Sequence, residues 1–169
     1  LKKESQALTK EARRSLYSIY ALFYQQVGDL AKSYDYFKKI AEMVGSSPEQ
    51  IKEHPHIYLF SLNNLGLISH QLARYDELAL VIEKIRTIPE KLKNKCKESI
   101  KVKIFEQSYH LELNMHLTTC QFEKGISLIS DIEKGISKFN EKIDRQYEIM
   151  FYLNFAFLYF TQQEYNKSL

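Results

Sequence analysis

Two cysteines and five histidines are the residues of this 169-residue chain whose chemistry is most easily recruited, and their spacing gives them little company. Cys96 and Cys120 lack metal-ligand spacing and cannot build a disulfide framework, so they read as reduced thiols and favour a cytoplasmic location. Cys96 stands among Lys93, Lys95 and Lys97, whose charge would favour the thiolate, yet no base or resolving thiol is close in sequence. Cys120 falls between two helical segments and reads as a packed thiol. His54 and His56 flank Pro55 and offer two nitrogens without a third ligand, so no metal site is expected. The chain has no Gly-rich phosphate loop, no G-x-S-x-G, no H-E-x-x-H and no dense carboxylate cluster. A non-catalytic protein without a cofactor is the expectation.

The densest charge feature is Lys91, Lys93, Lys95, Lys97, Lys101 and Lys103, opposed within that span by Glu98. On one helix these positions would spread around the circumference rather than form a stripe, and few aromatics or arginines accompany them. A solvated face is the first reading, and a nucleic-acid edge at 91–103 is the alternative. The formal net charge of +3 is too small for the whole surface to attract polyanions.

These residues must be positioned by helices. Five Gly and three Pro are too few for the many tight turns of an all-β fold, and 44% hydrophobic residues suffice for a core without staples. Leu16, Ile19, Tyr20, Phe23, Tyr24 and Val27 recur at steps of three and four, the stripe of a 3.6-residue period. Ser47-Pro48-Glu49-Gln50 combines an N-cap Ser, an N1 Pro and an N3 Gln, a helix start. The patterns predict helices near 5–27, 30–44, 56–73, 75–87, 90–119, 122–138 and 141–162, with another beginning near Tyr165. No apolar run reaches the roughly 18 residues of a spanning helix, since Asn154 interrupts Ile149 to Phe160. The N-terminal Leu-Lys-Lys-Glu has neither initiator Met nor signal core, and a fragment of a longer protein is expected.

Four segments align without gaps. Tyr17, Tyr20, Ala21, Tyr24, Gly28, Leu30, Ser33, Phe37 and Ile40 match Leu62, Leu65, Gly66, Ser69, Ala73, Tyr75, Leu78, Ile82 and Ile85. The third copy is Tyr109, Glu112, Leu113, His116, Cys120, Phe122, Gly125, Ile129 and Ile132, and the fourth runs Tyr152, Phe155, Ala156, Tyr159, Gln163, Tyr165, Ser168. The pattern resembles the tetratricopeptide repeat family, most clearly at Asn63-Asn64-Leu65-Gly66 followed by Arg74-Tyr75-Asp76-Glu77-Leu78-Ala79. Equivalent positions are 45, 47 and 43 residues apart, longer than the family's roughly 34, as in long-pitch relatives among bacterial regulators. The extra residues fall at Gly45 to Pro55, Pro89 to Lys101 and Phe139 to Gln146.

That resemblance implies an all-α fold, a right-handed α-α superhelix or TPR-like solenoid, with repeats near 14–47, 59–92 and 106–139 and a partial one at 149–169, in a single domain over 1–169. It also implies a concave peptide-binding groove lined by Ser18, Leu22, Gln26, Asn63, Asn64, Leu67, His70, Gln71, His110, Asn114, Asn154 and Phe157. Amides and imidazoles there would suit a protein or peptide partner in a sensing, scaffold or docking role. The chaperone-terminus clamp of the family is disfavoured: its five positions fall on Ser18, Leu22, Asn64, Gln107 and Leu111, of which Asn64 alone fits. Ala21, Gly66 and Ala156 should be buried at helix crossings, and Tyr24, Phe37, Tyr75, Phe122 and Tyr165 should be core. Ile149, Phe151, Phe155, Leu158 and Tyr159 should form an apolar surface at the C-terminal end through which the chain self-associates.

Overall fold

The computed structural model describes residues 9–162, which are helical with no strand among them. Two compact units divide the chain, Leu1–Lys95 and Cys96–Leu169. In the first lie α1 (Lys10–Gln26), α2 (Leu30–Gly45), α3 (Pro48–Glu53), α4 (Pro55–Gln71), α5 (Tyr75–Arg86) and α6 (Ile88–Leu92). The second holds α7 (Glu98–Thr118), α8 (Phe122–Phe139) and α9 (Arg145–Thr161).

Local chemistry accounts for the helix starts. Thr9, Asp29, Ser47 and Asp144 each accept a backbone N–H of the first turn, from Ala12, Lys32, Gln50 and Gln146 respectively. All three prolines sit in a first turn, where the missing N–H costs nothing. The Ser47 start opens the short α3, which the repeat pattern had left between helices.

Within the first unit α1 packs on α2, α2 on α4 and α4 on α5. Ala21, fully buried, lets α2 approach closely enough for the Ser33 hydroxyl to donate to the Ala21 carbonyl at 2.8 Å. Phe37, Ile40, Leu62, Ile68, Leu78 and Ile85 form the core there. In the second unit α8 and α9 pack against α7 around Phe105, Leu113, Ile132, Phe151, Phe155 and Leu158. Gly135 is required: a Cβ on it would overlap the Phe105 ring.

The gapless register has a backbone counterpart. Gly28, Ala73 and Cys120 end α1, α4 and α7 at φ of 81°, 54° and 56°. After each, the next N–H reaches five residues back, Asp29 to Tyr24, Arg74 to Ser69 and Gln121 to His116, at 2.8 to 2.9 Å. That is the Schellman geometry, which exposes the peptide to the left-handed region glycine prefers. The long pitch is ordered too. Lys93 and Asn140, 47 residues apart, both have positive φ (51° and 40°) and both open a 3-10 turn before an extended N-cap, Lys97 or Asp144. The helix expected over 90–119 is thus broken at 93–97, where Lys93, Asn94, Lys95 and Lys97 are exposed and Cys96 alone is half-buried.

Burial follows the register best on the second helices. Ser33, Leu78 and Gly125 are buried, as are Phe37, Ile82 and Ile129, and Ile40, Ile85 and Ile132. Ala21 and Gly66 are buried as expected, whereas Ala156 is half-buried. Of the expected core aromatics Phe37 is fully buried, while Tyr24, Tyr75 and Phe122 are half-buried; Tyr165 lies outside the described residues. Tyr24 stacks on Tyr36 at 5.7 Å with the two rings within 6° of parallel, an edge position that keeps a phenol wet. The apolar surface expected at the C-terminal end needs correction. Of that set Ile149 is exposed and Tyr159 half-buried, but Phe151, Phe155 and Leu158 are buried in the second unit's own core, and Ile149 shares its exposed face of α9 with Tyr152, Leu153, Phe157 and Phe160.

Candidate docking faces

The twelve groove positions fall on first helices of both units. On α1, Leu22 and Gln26 are exposed, while Ser18 is half-buried and its hydroxyl donates to the Arg14 carbonyl. On α4, Asn64 is buried and its Nδ2 donates to the Phe60 carbonyl at 2.9 Å, so that donor is satisfied within the helix. Asn63 is half-buried with Oδ1 shielded from solvent and without a hydrogen-bond donor. Leu67 is half-buried, Gln71 is exposed, and the His70 ring meets Tyr75 edge-on at 6.2 Å.

The second unit joins its four positions differently. Asn154 Nδ2 donates to Asn114 Oδ1 at 3.4 Å, and Asn114 Nδ2 lies 3.0 Å from His110 Nε2. His110 is buried and meets Tyr147 edge-on at 5.6 Å. Burial, with the Glu106 and Asp144 carboxylates beside it, pushes the Tyr147 phenol up to about 12. Glu106 itself is fully buried, pairs with Lys103 at 2.8 Å and accepts the Asp144 N–H at 2.7 Å, tying α7 to the start of α9. Phe157 remains half-exposed and touches Phe122 edge-on.

What the groove positions do not convey is the distribution of charge. From Ser15 to Gly28 and from Pro55 to Ala73 the chain carries no Asp, Glu, Lys or Arg, whereas α2 and α5 each carry five. A surface helix normally turns charge to water. Instead α1 exposes Ile19 (63%), Leu22 (48%), Phe23 (55%) and Val27 (58%), and α4 exposes Phe60. The same holds on α9, which is free of those residues from Ile149 to Gln162 and exposes Leu153 at 65%. The uncharged runs were readable from the sequence and are the signal that would have added Ile19, Phe23, Val27, Phe60 and Leu153.

A cleft of about 820 Å³ opens within the first unit, where α2 and α5 both pack on α4. Its floor, Ala41, Leu62, Leu65 and Val81, is buried, and its rim mixes Lys38, Glu42, Lys84 and Lys91. At one end Arg74 lies over the Tyr34 ring at 5.1 Å. Burial first, and a hydrogen bond to Glu77 second, push the Tyr34 phenol up to about 12.

The lysine run does not form a single face. Lys91 is on α6 over the Tyr58 ring at 5.8 Å, Lys93 and Lys95 are in a turn, Lys97 caps α7, and Lys103 is paired with Glu106. Burial raises the Cys96 thiol and outweighs the opposing Lys101 ammonium, so the neighbouring lysines do not activate it. Cys120 is exposed rather than packed, because the left-handed turn carries it outward. His54 lies 3.8 Å from Glu53, and no group of three or more His, Cys, Asp or Glu among the described residues could hold a metal ion. No helix of the described residues is long and apolar enough to cross a membrane.

Compared with known proteins, the chain matches no family model, no curated protein and no solved structure at a significant level.

Proposed function

We propose that the chain is a non-catalytic, tetratricopeptide-like helical-repeat module that binds a protein partner through the outward faces of its first helices, as the docking or sensing segment of a regulatory protein in a reducing compartment such as the cytoplasm. One observation carries this reading: α1 and α4 hold no charged residue from Ser15 to Gly28 and from Pro55 to Ala73, yet leave Ile19, Leu22, Phe23, Val27 and Phe60 exposed. Uncharged apolar faces of a few hundred square ångströms on a soluble domain are commonly interaction sites. Polar groups contribute less, because Asn64 and Ser18 already donate to their own helices. A partner is therefore held mainly by apolar contact, with Gln26, Gln71 and Asn63 at its margin.

The nucleic-acid alternative depends on the lysine run, of which Lys91 and Lys103 are already engaged with Tyr58 and Glu106. The test is a partner recovered by pull-down and assayed against Leu22→Asp, Leu67→Asp and a Lys93, Lys95, Lys97→Ala triple variant, each with a melting control. Loss of binding in the leucine variants alone is the expected result. Loss in the triple-lysine variant alone would replace this reading with the electrostatic one.

A further inference from the structure

We infer that the chain self-associates head to tail, the exposed stripe of α9 in one copy packing in parallel along the exposed stripe of α1 in the next. The inference rests on the reading of uncharged first-helix faces as docking faces and names one occupant for them. Each stripe follows the spacing that a packed helix demands, Ser15, Ile19, Leu22 and Gln26 on α1 and Ile149, Leu153, Ala156 and Phe160 on α9. Superposing Ile19 on Leu153 sets Ser15 against Ile149, Leu22 against the half-buried Ala156 and Gln26 against Phe160, so that at the first two a small residue faces a large one. Ridges and hollows of that kind let two helices approach to 8–10 Å.

Charge selects the direction. On α1 the exposed Glu11 stands eight residues before Ile19, and on α9 the exposed Arg145 stands eight residues before Leu153. The superposition that matches the stripes therefore also sets Glu11 beside the Arg145 of the other copy. Antiparallel pairing of α9 with itself would put Arg145 against Thr161, and antiparallel pairing of α1 would put Glu11 against Val27, so neither register pairs these charges. An exposed ion pair adds little affinity, but it distinguishes orientations whose apolar contact is similar.

Area sets the strength. Nine apolar side chains, each about half exposed, could bury roughly 800 Å² between two copies, below the ~1,200 Å² at which specific complexes become stable. Dissociation on the order of tens of micromolar is expected, and a contact between two different faces propagates into short oligomers unless it closes into a ring.

Sedimentation velocity of the full chain from about 5 to 500 µM tests this, with circular dichroism of every variant. Wild type should shift from monomer to dimer and larger species. Ile19→Asp and Leu153→Asp, both at exposed positions, should each be monomeric alone, and an equimolar mixture should form a dimer that grows no further, because one intact α9 face meets one intact α1 face. Glu11→Arg should weaken association several-fold, and adding Arg145→Glu to the same chain should restore it. A wild type that stays monomeric at 500 µM, a single-face variant that still associates, or a mixture that stays monomeric would each overturn the inference. A monomeric wild type whose Leu22→Asp variant still loses the pulled-down partner overturns self-docking alone; unchanged partner capture overturns the proposed function.

Discussion

The repeated left-handed turns give a perturbation whose size can be worked out in advance. Gly28, Ala73 and Cys120 occupy one register position and share the Schellman hydrogen bonds, but two of them pay for a Cβ at positive φ. That conformation costs a non-glycine residue about 1 kcal/mol or somewhat more. Part of the gain from glycine is offset by its freer unfolded chain, so Ala73→Gly and Cys120→Gly should each stabilise by about 0.5–1 kcal/mol. Gly28→Ala should cost about 1 kcal/mol, and that cost is purely conformational, because a Cβ there would meet nothing within 4 Å. Cys120→Ala serves as the control: it removes the thiol, keeps the backbone penalty and should be close to neutral. Thermal denaturation reads these values as shifts of about 4–8 °C per kcal/mol if a unit of 60–100 residues unfolds as its own cooperative block, and about half that if the chain unfolds as one. The two stabilising changes lie in different units, Leu1–Lys95 and Cys96–Leu169, and should add in urea-derived free energies. A neutral Gly28→Ala, or a destabilising Ala73→Gly, would refute the assignment of one shared turn geometry to the three positions.

Other consequences follow from the second unit. Gly135→Ala should cost about 1–3 kcal/mol by forcing Cβ into the Phe105 ring, and Phe105→Leu in the same chain should recover part of the loss in urea unfolding. Glu106→Ala should cost about 1 kcal/mol, because the Asp144 N–H would lose an acceptor at a part-buried site that ties α7 to α9. Burial holds the His116 pKa below its ordinary 6.5, so the unfolded chain binds more protons as pH falls; stability should be full above 6.5 and decline as pH falls below it, and His116→Asn should flatten the dependence. Ultraviolet titration should resolve phenols ionising near pH 12 apart from the ordinary ones, and Tyr34→Phe and Tyr147→Phe should each remove part of that late step.

How far the sequence could be read depends on which force places each residue. Second-helix positions such as Phe37, Ile82 and Ile132 are apolar and have no polar end to satisfy, so their spacing alone placed them in the core. Tyr24, Tyr75 and Phe122 share the repeat pattern but settle at edges, where an aromatic can bury a face and keep a rim in solvent. The Ser47 cap announced the start of α3, but its short extent and the break at 93–97 were hidden because five or six residues are too few to express a period. Within the candidate site, position was legible and availability was not. Asn64 and Asn114 lie on first helices as expected, but whether an amide faces a ligand or its neighbour depends on rotamers, and Asn64 turns to the Phe60 carbonyl while Asn114 turns to His110. For that reason Asn64→Ala probes helix stability, and Leu22 or Leu67 is the better probe of docking. Ile149 to Phe160 shows the opposite failure: the run is apolar on both faces, so periodicity could not tell the side that packs, Phe151, Phe155 and Leu158, from the side left open.

The central claim is that uncharged first-helix faces, and not the lysine run, hold the partner. Its most direct measurement is the affinity of the wild-type chain for that partner by calorimetry across 50 to 500 mM salt. Apolar docking should change the dissociation constant by no more than about threefold over that range, with a negative heat-capacity change. A fall in affinity of roughly 40-fold between 50 and 200 mM, the slope expected for about three released counterions, would contradict it and shift the binding to Lys93, Lys95 and Lys97.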